Sequence, residues 1–180
     1  MLLALGATVI DADAIARQTS TPLGAAIPAI RAAFGADFIA ADGALDRERM
    51  RALVFADPEA KKRLESIIHP LVHHAIEAQF KQACAGGARC VVFDIPLLVE
   101  SGDWQSRLDQ VLVVDCQVET QVGRVMARSN LNEAAVRSII QTQASREQRQ
   151  QAADVIIFND GLTLAQLRWE VDKIAPLFGL

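Results

Sequence analysis

The chain has 180 residues, 51% hydrophobic and 22% charged, with a net charge of −4. That is ordinary for a globular domain large enough to bury a core, and its acidic balance gives no support for general nucleic-acid binding. No apolar run approaches the ~18 residues of a membrane span, and the apolar start, Met1 to Gly6, lacks the basic flank and length of a signal peptide.

The three cysteines, Cys84, Cys90 and Cys116, have no metal-type spacing, and their odd number argues against a disulfide framework. A reducing, cytoplasmic setting fits. Ala7 to Asp11 predicts a short buried strand, and a helix is expected from Asp13 to Gln18. Leu23 to Phe34 is expected as a second helix, with Pro28 as an interruption and Gly35 as its stop. Phe38 to Leu45 holds a turn at Asp42-Gly43. Asp46 can cap a helix from Arg47 to Phe55, and Asp57-Pro58 opens another, since proline suits a first helical position. His69-Pro70 is expected to break or kink it after Ile68, before helix continues from Leu71 to Cys84.

After a turn at Gly86-Gly87, three apolar runs follow: Cys90 to Asp94, Val111 to Asp115 and Asp154 to Ile157. Helices are expected between and after them, over Glu119–Arg128, Asn132–Thr142, Arg146–Gln151 and Thr163–Ile174. Unbroken Val/Ile runs separated by helices predict strands covered on both faces, hence an α/β fold with a parallel sheet.

In open α/β sheets ligands bind at the carboxyl ends of the strands, where Asp11, Asp13, Asp94 and Asp115 fall. The pair Asp11 and Asp13 admits several chemistries. The plainest, for Asp13, is helix N-capping. In a haloacid-dehalogenase-like phosphatase the first carboxylate attacks phosphorus and the second works as acid and base. Such a site needs a lysine near the phosphate, and Lys61, Lys62, Lys81 and Lys173 all lie away from strand ends. Asn159-Asp160 mimics its second acidic pair only weakly. In a phosphoryl-transfer kinase one aspartate accepts the proton of an attacking hydroxyl.

Arg124 and Arg128, spaced i, i+4, share a helix face and lead into the polar, lid-like segment Ser129 to Asn132. Planar guanidiniums there suit a transferring phosphoryl group, although a solvated helix face is the commoner meaning of such a pair, as it is for Arg146. His69, His73 and His74 have no acidic or cysteine partner in evident spacing and read as helix-surface residues, so no metal site is expected from them. A non-catalytic binding domain is the third class.

The segments LGATVIDADAIARQ, FIAADGALDRERMRALVFADPEAKKRLESIIHPLV, DIPLLVESG, VLVVDCQVETQVGRVMAR and QASREQRQQAADVIIFNDG resemble, in order, the dephospho-CoA kinase family. The resemblance implies a P-loop kinase-like core over about 1–19 and 87–180, a helical substrate-binding insertion over about 20–86 and a lid over about 124–146. It implies transfer of the ATP γ-phosphoryl to the 3′-hydroxyl of dephospho-CoA with Mg2+, the last step of coenzyme A synthesis. The implied partners are small molecules, with the protein a monomer or weak homo-oligomer.

By this resemblance Asp13 is the catalytic base. Asp11, Arg17, His69 and the stretch Pro96, Leu97, Leu98 and Glu100 meet the acceptor. Arg124, Arg128 and Arg146 serve the lid and nucleotide. Asp94 has a Walker-B look that the family does not require. For His69 and Pro70, a helix-packing role stands equally beside the family one.

One piece of the family pattern is not found. No glycine in the chain is followed by lysine, so G-x-x-x-x-G-K-[ST] occurs nowhere, and the strand, loop and helix that carry it are expected ahead of Met1. That loop supplies backbone N–H groups and a lysine to the phosphates. The expectation is a truncated record of a longer protein, inactive or nearly so as a kinase, or else a remnant that still binds a CoA-type ligand.

Overall fold

The computed structural model describes residues 1–102 and 104–180, and of Gln105 only the backbone. The apolar runs that end in or begin at aspartate form four strands. β1 (Thr8–Asp11) lies parallel to β2 (Val91–Asp94), with Thr8 opposite Val91 and Asp11 opposite Asp94. β3 (Leu112–Asp115) lies parallel to β4 (Val155–Phe158), with Leu112 opposite Val155 and Asp115 opposite Phe158. The parallel pairing is as expected, and among the described residues it takes the form of two two-stranded ladders. They belong to two compact units, Gly6–Ile95 and Met1–Leu5 with Pro96–Leu180.

The Gly6–Ile95 unit holds both strands of the first ladder and four helices: α1 (Ala12–Thr19), α2 (Ile27–Phe34), α3 (Arg47–Ala56) and α4 (Pro58–Ala85). Aspartates cap three of these. Asp46 accepts from Arg49 N–H, and Asp57 accepts from Glu59 and Ala60 N–H with Pro58 in the first turn. Each such cap stabilises its helix by about 1 kcal/mol. Ala26, Ile30 and Met50 are buried together, with Phe34, Phe38, Leu53, Leu64 and Ile68 packed against them. Burying each such large side chain stabilises by about 1.5–3 kcal/mol, which outweighs weak local propensity.

Pro28 behaves differently from expectation, and of the break or kink expected at Pro70 the break does not occur. Pro28 does not interrupt a helix starting at Leu23. It sits in the first turn of α2, which starts at Ile27, where its missing N–H has no intrahelical partner to lose. Leu23 is instead left-handed, at φ 63°. Pro70 does not break α4 either, which runs 28 residues through it. Packing of α4 against α1, α2, α3 and β1 offsets the lost hydrogen bond.

The second unit carries a short 3-10 turn at Leu2–Leu5, α5 (Leu98–Ser101), α6 (Val118–Arg128), α7 (Glu133–Gln141), α8 (Arg146–Gln151) and α9 (Leu164–Ile174). Capping boxes start two of them, Ser145 with Gln148 for α8 and Thr163 with Gln166 for α9. α6 packs on α7, and Val122 and Val136 from these helices are buried.

Candidate active site

The two carboxylates at the end of β1 divide the work. Asp11 is the N-cap of α1: Ala14 N–H donates to its Oδ1 at 2.8 Å. Capping, considered for Asp13, therefore falls to Asp11, because the strand ends there and its extended backbone turns the side chain onto the first helical amides. Asp13, the second residue of α1, is exposed, and its side chain makes no hydrogen bond or ion pair among the described residues. Asp94 lies opposite Asp11, not Asp13, at the end of the ladder.

Asp13 lines an open cleft of about 420 Å³ together with Ala16, Arg17, Ser20, Leu45, Arg47, Met50, Arg51, Val54, Leu64 and Ile68. The volume lies in the usual range of small-molecule sites. Arg17, four residues after Asp13, shares its helix face and enters the same cleft. Arg47 ties the walls together, because its Nη2 donates to the Arg17 carbonyl at 3.0 Å and to Ser20 Oγ at 3.1 Å. Leu45 N–H donates to the Ser20 carbonyl beside it.

Arg47, Met50 and Arg51 went unremarked in the sequence, although Arg47 and Arg51 have the same i, i+4 spacing that singled out Arg124 and Arg128. His69 is exposed on α4 and is not part of the cleft lining; its neighbour Ile68 is. His73 and His74 are exposed on the same helix, as expected.

The remaining candidates lie in the second unit. Pro96 and Leu97 form a turn ahead of α5, which begins at Leu98, and Leu97 is left-handed at φ 57°. Glu100 is engaged, its Oε1 accepting from Ala144 N–H at 2.7 Å just before α8. Arg124 and Arg128 are exposed on α6 and have no hydrogen bond or ion pair among the described residues.

Arg146 differs from them. Its Nε donates to both oxygens of Asp115, at 3.0 and 2.9 Å, and its Nη2 to Oδ2 at 2.7 Å. Gln150 Nε2 donates to the same carboxylate, and Arg146 lies 5.6 Å from the Phe158 ring centroid. Most of its donors and its charge are thus spent on holding α8 to the end of β3. The Arg146 hydrogen bonds hold the buried Asp115 carboxyl below its ordinary range, with Gln150 adding to this and burial opposing it. Asp160, after β4, is also held low. Thr120 Oγ1 and Gln117 N–H donate to it, and the Arg124 and Arg146 charges act in the same direction.

A depressed folded-state pKa stabilises the fold above the unfolded value, about 3.9 for aspartate, and that stability is lost as pH falls through the folded value. Unfolding by urea should therefore show a loss of stability below about pH 4 that is smaller in Arg146→Gln, whose Asp115 has lost the largest cause of its lowered pKa. An acid limb equally steep in the variant would refute this assignment.

Among the described residues no group of three or more His, Cys, Asp or Glu side chains is arranged to hold a metal ion, and Asp11 is committed to its cap. No helix among the described residues is long and apolar enough to cross a membrane.

Parallel ladders with helical crossovers, an unengaged aspartate after a strand and a cleft rich in arginine define an α/β protein whose cleft suits an anionic ligand such as a phosphate. Comparison with known proteins narrows the class. The family model described as dephospho-CoA kinase matches residues 1–165. A dephospho-CoA kinase of Albidiferax ferrireducens is 55% identical over 180 residues, covering 100% of this chain and 85% of the relative. One from Burkholderia pseudomallei is 52% identical over 167 residues, covering 93% of this chain and 81% of its own.

Among solved structures, TT1252 from Thermus thermophilus has a TM-score of 0.79 at 31% identity, covering 98% of this chain and 87% of that one. The dephospho-CoA kinase from Campylobacter jejuni has a TM-score of 0.70 at 28% identity, covering 98% and 88%. The chain belongs to the dephospho-CoA kinase family.

Proposed function

We propose that this chain carries the acceptor side of ATP-dependent phosphorylation of dephospho-CoA at its 3′-hydroxyl, the last step of coenzyme A synthesis, with Asp13 as the base. The observation that carries the reading is the division between the two aspartates: Asp11 is consumed as a cap, while Asp13 is free, exposed and on the wall of a cleft lined by Arg17, Arg47 and Arg51. In the step, the 3′-oxygen forms a bond to the γ-phosphorus as the bond from that phosphorus to the β,γ-bridging oxygen breaks. Asp13 takes the hydroxyl proton and ADP leaves.

Arg124 and Arg128, exposed and unpaired, serve as lid cations for the phosphoryl group. Arg146 serves the nucleotide end through the shape it gives to the β3–α8 junction, since Asp115 already holds its charge. Magnesium accompanying ATP supplies charge neutralisation on the phosphates when bound.

The donor phosphates have no glycine-lysine loop within these 180 residues. The polypeptide alone is therefore expected to bind dephospho-CoA and to release ADP far below the ordinary kinase rate of about 1–100 per second. Calorimetry with dephospho-CoA and coupled ADP-release kinetics check both halves. Failure to bind dephospho-CoA would overturn the reading, and turnover at the ordinary rate would overturn the expectation of slowness.

A further inference from the structure

The cleft beside Asp13 has a chemistry that a base alone does not require. Arg17, Arg47 and Arg51 line it against a single carboxylate, Asp13, leaving a local excess of two positive charges. Arg47 is held by neutral oxygens only, so its charge is not cancelled. The side chains of Arg17 and Arg51 have no ion pair or hydrogen bond among the described residues. The lining also includes Met50, Val54, Leu64 and Ile68, an apolar floor between α3 and α4. A lone exposed arginine is an ordinary solvated side chain. Three on one concave, low-dielectric surface focus a field that draws an anion.

We propose that Arg51, with Arg17 and Arg47, forms the subsite for the diphosphate of the acceptor, and that Met50, Val54, Leu64 and Ile68 receive its uncharged arm. The required ligand carries phosphate at one end of a flexible, uncharged chain. This rests on the reading of the cleft as the acceptor site. It goes further by dividing that site into an anionic edge and an apolar floor. Arg47 is the least replaceable of the three because it also fixes the end of α1. Arg51 is the cleaner probe, since no fold contact depends on it.

The test is calorimetry on the whole chain with two ligands, dephospho-CoA and 4′-phosphopantetheine, the second lacking the adenylyl group and so carrying one phosphate in place of the diphosphate. Arg51→Ala should weaken both by about ten- to a hundredfold, the loss of a charge-assisted phosphate contact, and Arg51→Lys should recover part of it. Arg31→Ala, which removes a charge from exposed α2 outside the cleft, should leave both unchanged. Val54→Asn should weaken both ligands and spare ADP, which has phosphates but no arm.

Thermal unfolding of each variant reads fold integrity. Binding of dephospho-CoA by the unaltered chain with equal affinity in Arg51→Ala, or equal weakening by Arg31→Ala and Arg51→Ala, would overturn the anion subsite while leaving the acceptor reading in place. No binding by the unaltered chain would overturn both.

Discussion

In a form of the protein that carries a glycine-lysine phosphate loop ahead of these residues, replacing Asp13 by asparagine should lower ADP release in the presence of dephospho-CoA by about 10²–10⁴, the range expected for loss of a general base. The loss should fall on kcat, with acceptor affinity and Tm nearly unchanged, because Asp13 is exposed and supports no fold contact among the described residues. Asp11 gives the opposite pattern. Its Oδ1 accepts the Ala14 amide, so Asp11→Ala should cost about 0.5–2 kcal/mol of stability, whereas Asp11→Ser keeps a capping oxygen and most of both stability and rate. Rates and unfolding measured on the same three proteins separate the roles. A larger rate loss for Asp11→Ser than for Asp13→Asn would exchange the assignments, and would favour a nucleophilic first carboxylate.

The second large effect lies away from the chemistry. A Cβ placed on Gly24 would sit 2.3 Å from the Thr19 carbonyl oxygen and 2.6 Å from its carbon, both backbone atoms that no rotamer change can move. The turn there is tightly bonded: Gly24 N–H donates to the Thr21 carbonyl and Ala26 N–H to the Thr19 carbonyl. Gly24→Ala should therefore destabilise the Gly6–Ile95 unit by about 1–3 kcal/mol, lowering Tm by roughly 3–10 °C. Because Ser20 in this turn meets Arg47, acceptor binding should weaken along with stability. Unchanged Tm in a thermal scan of Gly24→Ala would mean that the turn relaxes without cost.

Much of the fold was legible because local chemistry decides it. Asp46, Asp57 and Gly35 mark helix ends through their own side chains or lack of one, and the runs ending in Asp94 and Asp115 are strands in either context. The prolines were not legible in the same way. Whether Pro28 starts or interrupts a helix depends on where the preceding turn ends, and tolerance of Pro70 comes from the elements packed around α4.

Within the site, the DxD was readable but its division was not. Two aspartates two residues apart compete for one cap, and the last residue of the strand decides which of them takes it. The Asp115–Arg146 bond spans 31 residues and the Arg47–Ser20 bond 27, so neither has a periodic trace. The doublet on α3 did carry such a trace, obscured because it stands in a helix rich in charge.

The loop that Gly24 closes has one more property. Leu23, just before it, is wholly solvent-exposed and left-handed at φ 63°. A branched aliphatic side chain there gains nothing from the interior and opposes its own backbone, where glycine or asparagine would rest without strain. The sequence thus stops short of the sturdiest version of its own architecture, and the room for improvement lies in one outward side chain whose exchange leaves the bonds of the turn in place.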